Sequence, residues 1–235
     1  MWTTGNAQVW LRRIVGFIWK TAAAALAASI ILILLLRWLT PPTSAFMLRQ
    51  RLEGMAIDYR WVSLDRISPY AALAVISSED QKFFDHWGLD LEAITDALKE
   101  NQSHGHLRGA STISQQVVKN LFLWPGKSYL RKGIEVCLTL LLEVLWPKQR
   151  ILEVYLNIAE LGRGVYGFEA AAQRFFGRPA ARLTMQQAAM LAAVLPSPEH
   201  MFADRPSNYV RSRTWQIIEQ MGALGGRAFL KAAGL

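Results

Sequence analysis

The chain has 235 residues, a formal net charge of +8, 52% hydrophobic residues and 19% charged residues. This is too apolar for a disordered protein and fits a packed core with a membrane contact. The excess of basic residues points either to nucleic acid or to anionic lipid; the apolar amino-terminal stretch favours lipid and no nucleic acid.

From Ile14 to Leu39 the only charges are Lys20 and Arg37, with 16 uncharged residues between them. A spanning helix needs roughly 20 apolar residues. Both cations can snorkel to the interfaces and extend the reach, and Trp10, Trp19 and Trp38 stand where an aromatic belt lies. A cleaved signal peptide would have a shorter apolar region and a small-residue cleavage site; Thr43-Ser44-Ala45 matches poorly, so an uncleaved anchor over 14–39 is expected. Arg12, Arg13 and Lys20 on one side balance Arg37, Arg49 and Arg51 on the other, so positive charge does not set the orientation. Pro41-Pro42 ends the anchor, and 40–66 reads as a membrane-proximal linker with a short extended piece at Trp61-Val62.

The remaining chain, 67–235, reads as one mainly helical domain. Ser68-Pro69 is an N-cap followed by a first helical residue, and the apolar run Ala71–Ile76 delivers Glu79 near the helix end. Asp90 caps a second helix carrying Leu91, Ile94, Ala97 and Leu98. Asn101–Leu107 is a polar loop whose histidines, His104 and His106, have no acidic or cysteine partner within it. Ser111 is expected to cap a helix running through Gln115 to Leu123. Tyr129–Trp146 follows, with Leu138–Leu142 and Cys137 expected in the core. Lys148–Ala159, Phe168–Phe176, Thr184–Leu195 and Asn208–Leu224 complete the helices, and Thr184 with Gln187 forms a capping box. No alternating strand pattern competes.

Two segments carry candidate chemistry: Glu79-Asp80-Gln81-Lys82-Phe83-Phe84-Asp85-His86-Trp87-Gly88 and Gly109–Asn120. A carboxylate at Glu79, lodged between an apolar helix and two aromatics, is desolvated toward a pKa useful for a base. Asp80 either orients it or is a surface charge, and His86 reads as a structural imidazole beside a turn. Gln115 and Lys119 lie one turn apart and share a face. Lys119, Lys127, Arg131 and Lys132 form either a diphosphate cradle or an ordinary basic patch. Glu135 either pairs with Arg131 on the helix surface or faces that cradle and helps a phosphate leave, directly or through a divalent ion.

These segments resemble the first two motifs of the peptidoglycan glycosyltransferases (glycosyltransferase family 51). Arg131-Lys132 with Glu135 is similar to the third motif, Lys148–Asn157 to the fourth, and Gly164-Val165-Tyr166-Gly167 with Ala170–Ala172 and Phe175-Phe176 to the fifth. Five blocks in register across about 65–200 are a specific signal, and the end at Leu235 leaves an expectation of a monofunctional member. The resemblance implies a lysozyme-like helical domain on the outer face of the bacterial cytoplasmic membrane, with a cytoplasmic tail over 1–13. It implies that Glu79 is the base that activates the 4-hydroxyl of lipid II toward the growing glycan chain, with inversion and release of undecaprenyl diphosphate. It places Lys119, Lys127 and Arg131 on the diphosphate and Glu135 at the departing group. Ser111, Thr112, Gln115 and Gln116 would shape the sugar sites, and Tyr155, Asn157 and Gly167 would support the cleft. No cofactor is required by the sequence; a divalent cation, Mg2+ or Mn2+, at Glu135 is an open expectation. Other cell-wall synthases or division proteins are the expected partners. Two positions depart from the family: Lys127, where arginine is frequent, and Asp96, where many members have arginine. The competing readings are a lytic glycan-cleaving enzyme with Glu79 as acid, and a non-catalytic cell-wall scaffold.

Overall fold

The computed structural model describes residues 4–93, 95, 111–126 and 128–235. The chain divides into two units, Met1–Leu39 and Thr40–Leu235. The first is a single helix, α1 (Thr4–Leu36). Its segment Arg12–Leu36 is long and apolar enough to cross a membrane. The helix ends before the two prolines, with Leu39 N still bonded to Leu35 O at 3.0 Å.

In the second unit, α2 (Ala45–Leu52) precedes a short strand, β1 (Asp58–Tyr59), and α3 (Pro69–Glu79). Then come α4 (Ile113–Phe122), α5 (Tyr129–Leu145) and α6 (Lys148–Ile158). A hairpin of β2 (Glu160–Gly162) and β3 (Val165–Tyr166) follows. The chain closes with α7 (Phe168–Phe176), α8 (Met185–Val194), α9 (Asn208–Ala223) and α10 (Arg227–Ala232).

The core is built on α3 and α8. Ala71–Ser77 of α3 are all buried, as are Ala188, Ala189 and Leu191–Val194 of α8. These alanines let backbones approach closely, and α9 packs against both helices. Pro69 starts α3 as expected, but the Ser68 hydroxyl donates to Leu183 O at 2.9 Å instead of capping its own helix. The Thr184–Gln187 capping box is present.

A small sheet of order β1-β3-β2 was not expected. Its strands have two or three residues, too few for alternation to register in the sequence. The extended piece falls at Asp58-Tyr59; Val62 instead pairs with a side chain, Asn157. Asn157 Oδ1 accepts from Val62 N at 2.9 Å, and its Nδ2 donates to Val62 O at 2.9 Å. Gly167 begins the turn into α7 at φ +84°, and a Cβ there would lie 2.4 Å from Asn157 O. Only glycine fits that approach.

The helix after residue 110 starts one residue later than expected. Thr112, not Ser111, is its N-cap, in a reciprocal capping box with Gln115. The reason is local: Thr112 has a glutamine three residues on, whereas Ser111 has Ser114.

Helix α5 also corrects the sequence reading. Its buried face carries Glu135, Thr139, Leu142 and Glu143. Cys137 is exposed, as are Leu140 and Val144, the latter at 70%. Of the run Leu138–Leu142, Leu140 is exposed, Leu138 and Leu141 are half-buried and Leu142 is buried, while the carboxylates face in. Asp90 Oδ1 accepts from Ala93 N at 2.9 Å, as a cap would. The rest of that expected helix, with Asp96, the loop histidines and Lys127, lies outside the described residues.

Candidate active site

Glu79 is the last residue of α3, and Gln116 on α4 reaches it. Gln116 Nε2 donates to Glu79 Oε2 at 2.8 Å, and Tyr155 Oη donates to Gln116 Oε1 at 2.9 Å. The glutamine amide is thereby fixed in one orientation, and it fixes one carboxylate oxygen. Among the described residues no side chain or backbone group bonds the other oxygen, Oε1. Burial raises the Glu79 pKa; the Gln116 bond and the charges of Arg213 and Lys119 partly oppose the rise. Tyr155 is fully buried, its pKa also pushed up by burial, so the phenol stays protonated and holds the amide.

A buried polar network fixes α3 against α4. Asp80 is buried, with Oδ1 2.9 Å from His86 Nε2 and Oδ2 accepting from Ile113 N at 2.9 Å. Gly88 N donates to His86 Nδ1 at 3.0 Å, so Nε2 carries the proton and donates to Asp80. The Thr112 hydroxyl donates to Gly88 O at 2.6 Å. A second strand of the network joins Ser114, Glu143 and Lys148, whose Nζ donates to Glu143 Oε1 at 2.8 Å and to His86 O at 2.7 Å. Asp80 and His86 thus act as a clamp. A Cβ at Gly88 would come within 2.7 Å of Thr139 and 2.8 Å of Glu143, so the turn sits tight on the buried face of α5.

Gln116, Lys119 and Tyr155 line a cleft of about 340 Å³ that runs past Phe46 and Asn120 to Glu160 and Tyr166. The Lys119 ammonium stands 5.9 Å from the Phe46 ring centroid. Burial lowers its pKa, and Glu135 is the main charge holding it up. Glu135 is 2% exposed. Arg131 Nη1 donates to its Oε2 at 2.7 Å, and Lys132 Nζ bonds Oε1. Arg131 Nε also donates to Gly126 O at 2.8 Å. Glu135 is therefore the buried centre of a cluster of three cations and not half of a surface pair.

Thr112, Gln115, Gln116, Asp80 and Glu79 meet where α3 and α4 join, while Lys119, Arg131 and Glu135 meet one step further along α4. Thr112 and Gln115 are buried in the cap, Gln115 at 2% exposure. Ser111 is exposed just ahead of the helix. It is Gln116, not Gln115, that lines the cleft with Lys119, because the Gln115 amide is taken up by the capping box. Sequence reasoning missed Arg213 altogether. The available signal was a cation at the edge of the buried stripe Val210, Thr214, Ile217 and Met221 of α9.

The fit to a divalent cation is poor. Both Glu135 oxygens are taken by cations, and the described residues hold no group of three or more His, Cys, Asp or Glu suited to a metal. No step below is routed through an ion.

A half-buried carboxylate with one unbonded oxygen, near a cluster of cations beside a helical cleft, is the arrangement that a proton transfer next to an anionic group would need. Residues 48–222 match the transglycosylase family model. A biosynthetic peptidoglycan transglycosylase of Pectobacterium carotovorum is 47% identical over 98% of this chain and 97% of its own length. Proteins of that description from Pseudomonas putida F1 and Pseudomonas savastanoi pv. phaseolicola are 52% and 50% identical. They align with 87% and 95% of this chain, and with 89% and 96% of their own lengths. The chain belongs to the transglycosylase family. It is a peptidoglycan glycosyltransferase with the family's lysozyme-like helical domain.

Proposed function

We propose that the cleft polymerises lipid II into β-1,4-linked glycan with inversion at the anomeric carbon. Glu79 Oε1 accepts the proton of the acceptor's 4-hydroxyl as that oxygen attacks the anomeric carbon of the lipid-linked chain. The bond to undecaprenyl diphosphate breaks, and the leaving anion is received by Lys119 and Arg131, with Lys127 adjoining in sequence. Glu135 assists departure by holding Arg131 and Lys132 in place and keeping Lys119 charged. Gln116 positions the base; Thr112 and Gln115 shape the sugar sites through the cap they form, and Ser111 stands at the rim.

The observation that carries this reading is the free oxygen of Glu79 on a carboxylate electrostatically coupled to Lys119. A base must be desolvated enough to take a proton, and a departing diphosphate needs fixed positive charge where it develops. Purified protein incubated with labelled lipid II, with and without a divalent ion, is the test. Lysozyme-sensitive polymer is expected in both arms. Cleavage of added glycan without polymer formation would overturn the reading in favour of a lytic enzyme.

We place the catalytic domain on the outer face of the cytoplasmic membrane, tethered by α1. Leu121 and Leu123 are buried, so the segment 121–124 offers only Trp124 to lipid as a strongly exposed side chain. The exposed Leu130, Leu140 and Val144 of α5 form the better lipid-facing surface.

A further inference from the structure

Arg213 stands on α9, the helix that packs against α3 and so against the element that ends in Glu79. It occupies a position where the stripe Val210, Thr214, Ile217 calls for an apolar residue. Its Nε is buried and has no hydrogen-bond partner among the described residues. An unsatisfied buried donor on a charged group is costly, and such a group requires an explanation. Among the described residues no ion pair of 4.0 Å or less joins Arg213 to a carboxylate. Yet its charge acts on Glu79, more strongly than that of Lys119. Among the described residues the other charged or titratable groups facing Glu79 are Lys119 from α4, Asp80 at the end of α3, and the neutral Tyr155 of α6.

Lys119 and Arg213 differ in what happens to them during turnover. Lys119 lies in the cleft and is neutralised when an anionic donor binds. Arg213 stands on α9, which packs against α3, and is not among the residues that line the cleft. We propose that Arg213 is a positioning residue for the reaction: its guanidinium is the standing positive charge that keeps Glu79 ionised after the diphosphate has occupied Lys119. This rests on Glu79 being the base. The consequence is a cleft that tolerates its own anionic substrate without protonating its base.

Removing the guanidinium disfavours the carboxylate, so the ionised base is regained only at higher pH. In Arg213→Gln, the acidic limb of the pH profile of kcat should move up by about one pH unit, about a tenfold loss on the acid side. Activity on the alkaline plateau should stay within about twofold of wild type. Arg213→Lys should restore the limb, and Arg213→Met, which suits the apolar stripe, gives the same shift should the glutamine variant fold poorly. An unmoved limb in folded Arg213→Gln or Arg213→Met, whether activity is unchanged or lowered equally at every pH, overturns the inference. Glu79→Gln assayed alongside separates the two claims: retained turnover there removes the base assignment itself, whereas a dead Glu79→Gln with an unmoved Arg213 limb removes only the role of Arg213.

Discussion

Replacing Glu79 by glutamine isolates its chemistry from its packing. The amide is nearly isosteric, and its oxygen can still accept from Gln116 Nε2, which lies 2.8 Å from the carboxylate. What is lost is the capacity to take a proton. Positioned acid–base catalysis contributes about 10²–10⁴-fold, so kcat for lipid II polymerisation should fall by that factor, about 3–5 kcal/mol in barrier. Stability should move the other way. Because burial raises the Glu79 pKa in the fold, ionising it destabilises the native state, and that penalty is present above the folded pKa and absent below the unfolded one. Glu79→Gln should therefore raise Tm at pH 8 and leave it unchanged near pH 3.5 or below. Continuous polymerisation assays with thermal melts at both pH values test the pair of effects. Turnover within tenfold of wild type would refute the base assignment, and a lowered Tm at pH 8 would refute the account of a desolvated carboxylate.

Lys119→Ala should raise KM for lipid II and lower kcat, because a diphosphate left without its counter-charge in a partly dry cleft is costly; unchanged kinetics would remove the cradle. Tyr155→Phe deletes one hydrogen bond to Gln116, worth about 1 kcal/mol, so kcat should drop about fivefold with KM little changed; a larger rise in KM than fall in kcat would mean the phenol touches substrate instead. Gly167→Ala forces a side chain to within 2.4 Å of Asn157 O at a positive φ and should cost about 3 kcal/mol or more in urea unfolding; near-wild-type stability would show that the turn relaxes. Leu140→Ser with Val144→Ser in a protein lacking α1 should weaken liposome binding, with equal binding counting against α5 as the lipid-facing surface.

Local codes were legible. Pro69 opens α3 and the Thr184–Gln187 box opens α8 because each signal acts within one turn. Glu79 fell at a helix end because the apolar run before it is long enough to fix the phase. The face of α4 was harder. As the third residue of a helix capped by Thr112, Gln115 turns back to the cap, while Gln116 and Lys119, three residues apart, both line the cleft. Gln115 spends its amide on the Thr112 backbone, and Gln116 is left to meet Glu79. The capping box decides which of two identical side chains is left to orient the carboxylate.

Helix α5 shows a different limit. Its hydrophobic pattern is strong, but a pattern gives the phase of a face and not the medium it meets. Glu135, Thr139 and Glu143 are buried because Arg131, Lys132, Ser114 and Lys148 come to them, two of these from other segments of the chain. With those carboxylates drawn inward, Leu130, Leu140 and Val144 are left on the exposed side of the helix. Arg213 follows the same logic at longer range. A cation in an apolar stripe reads as a flaw until α9 is seen packed against the helix that ends in Glu79. The parts of this site invisible in the sequence are the charges whose partners lie on other helices.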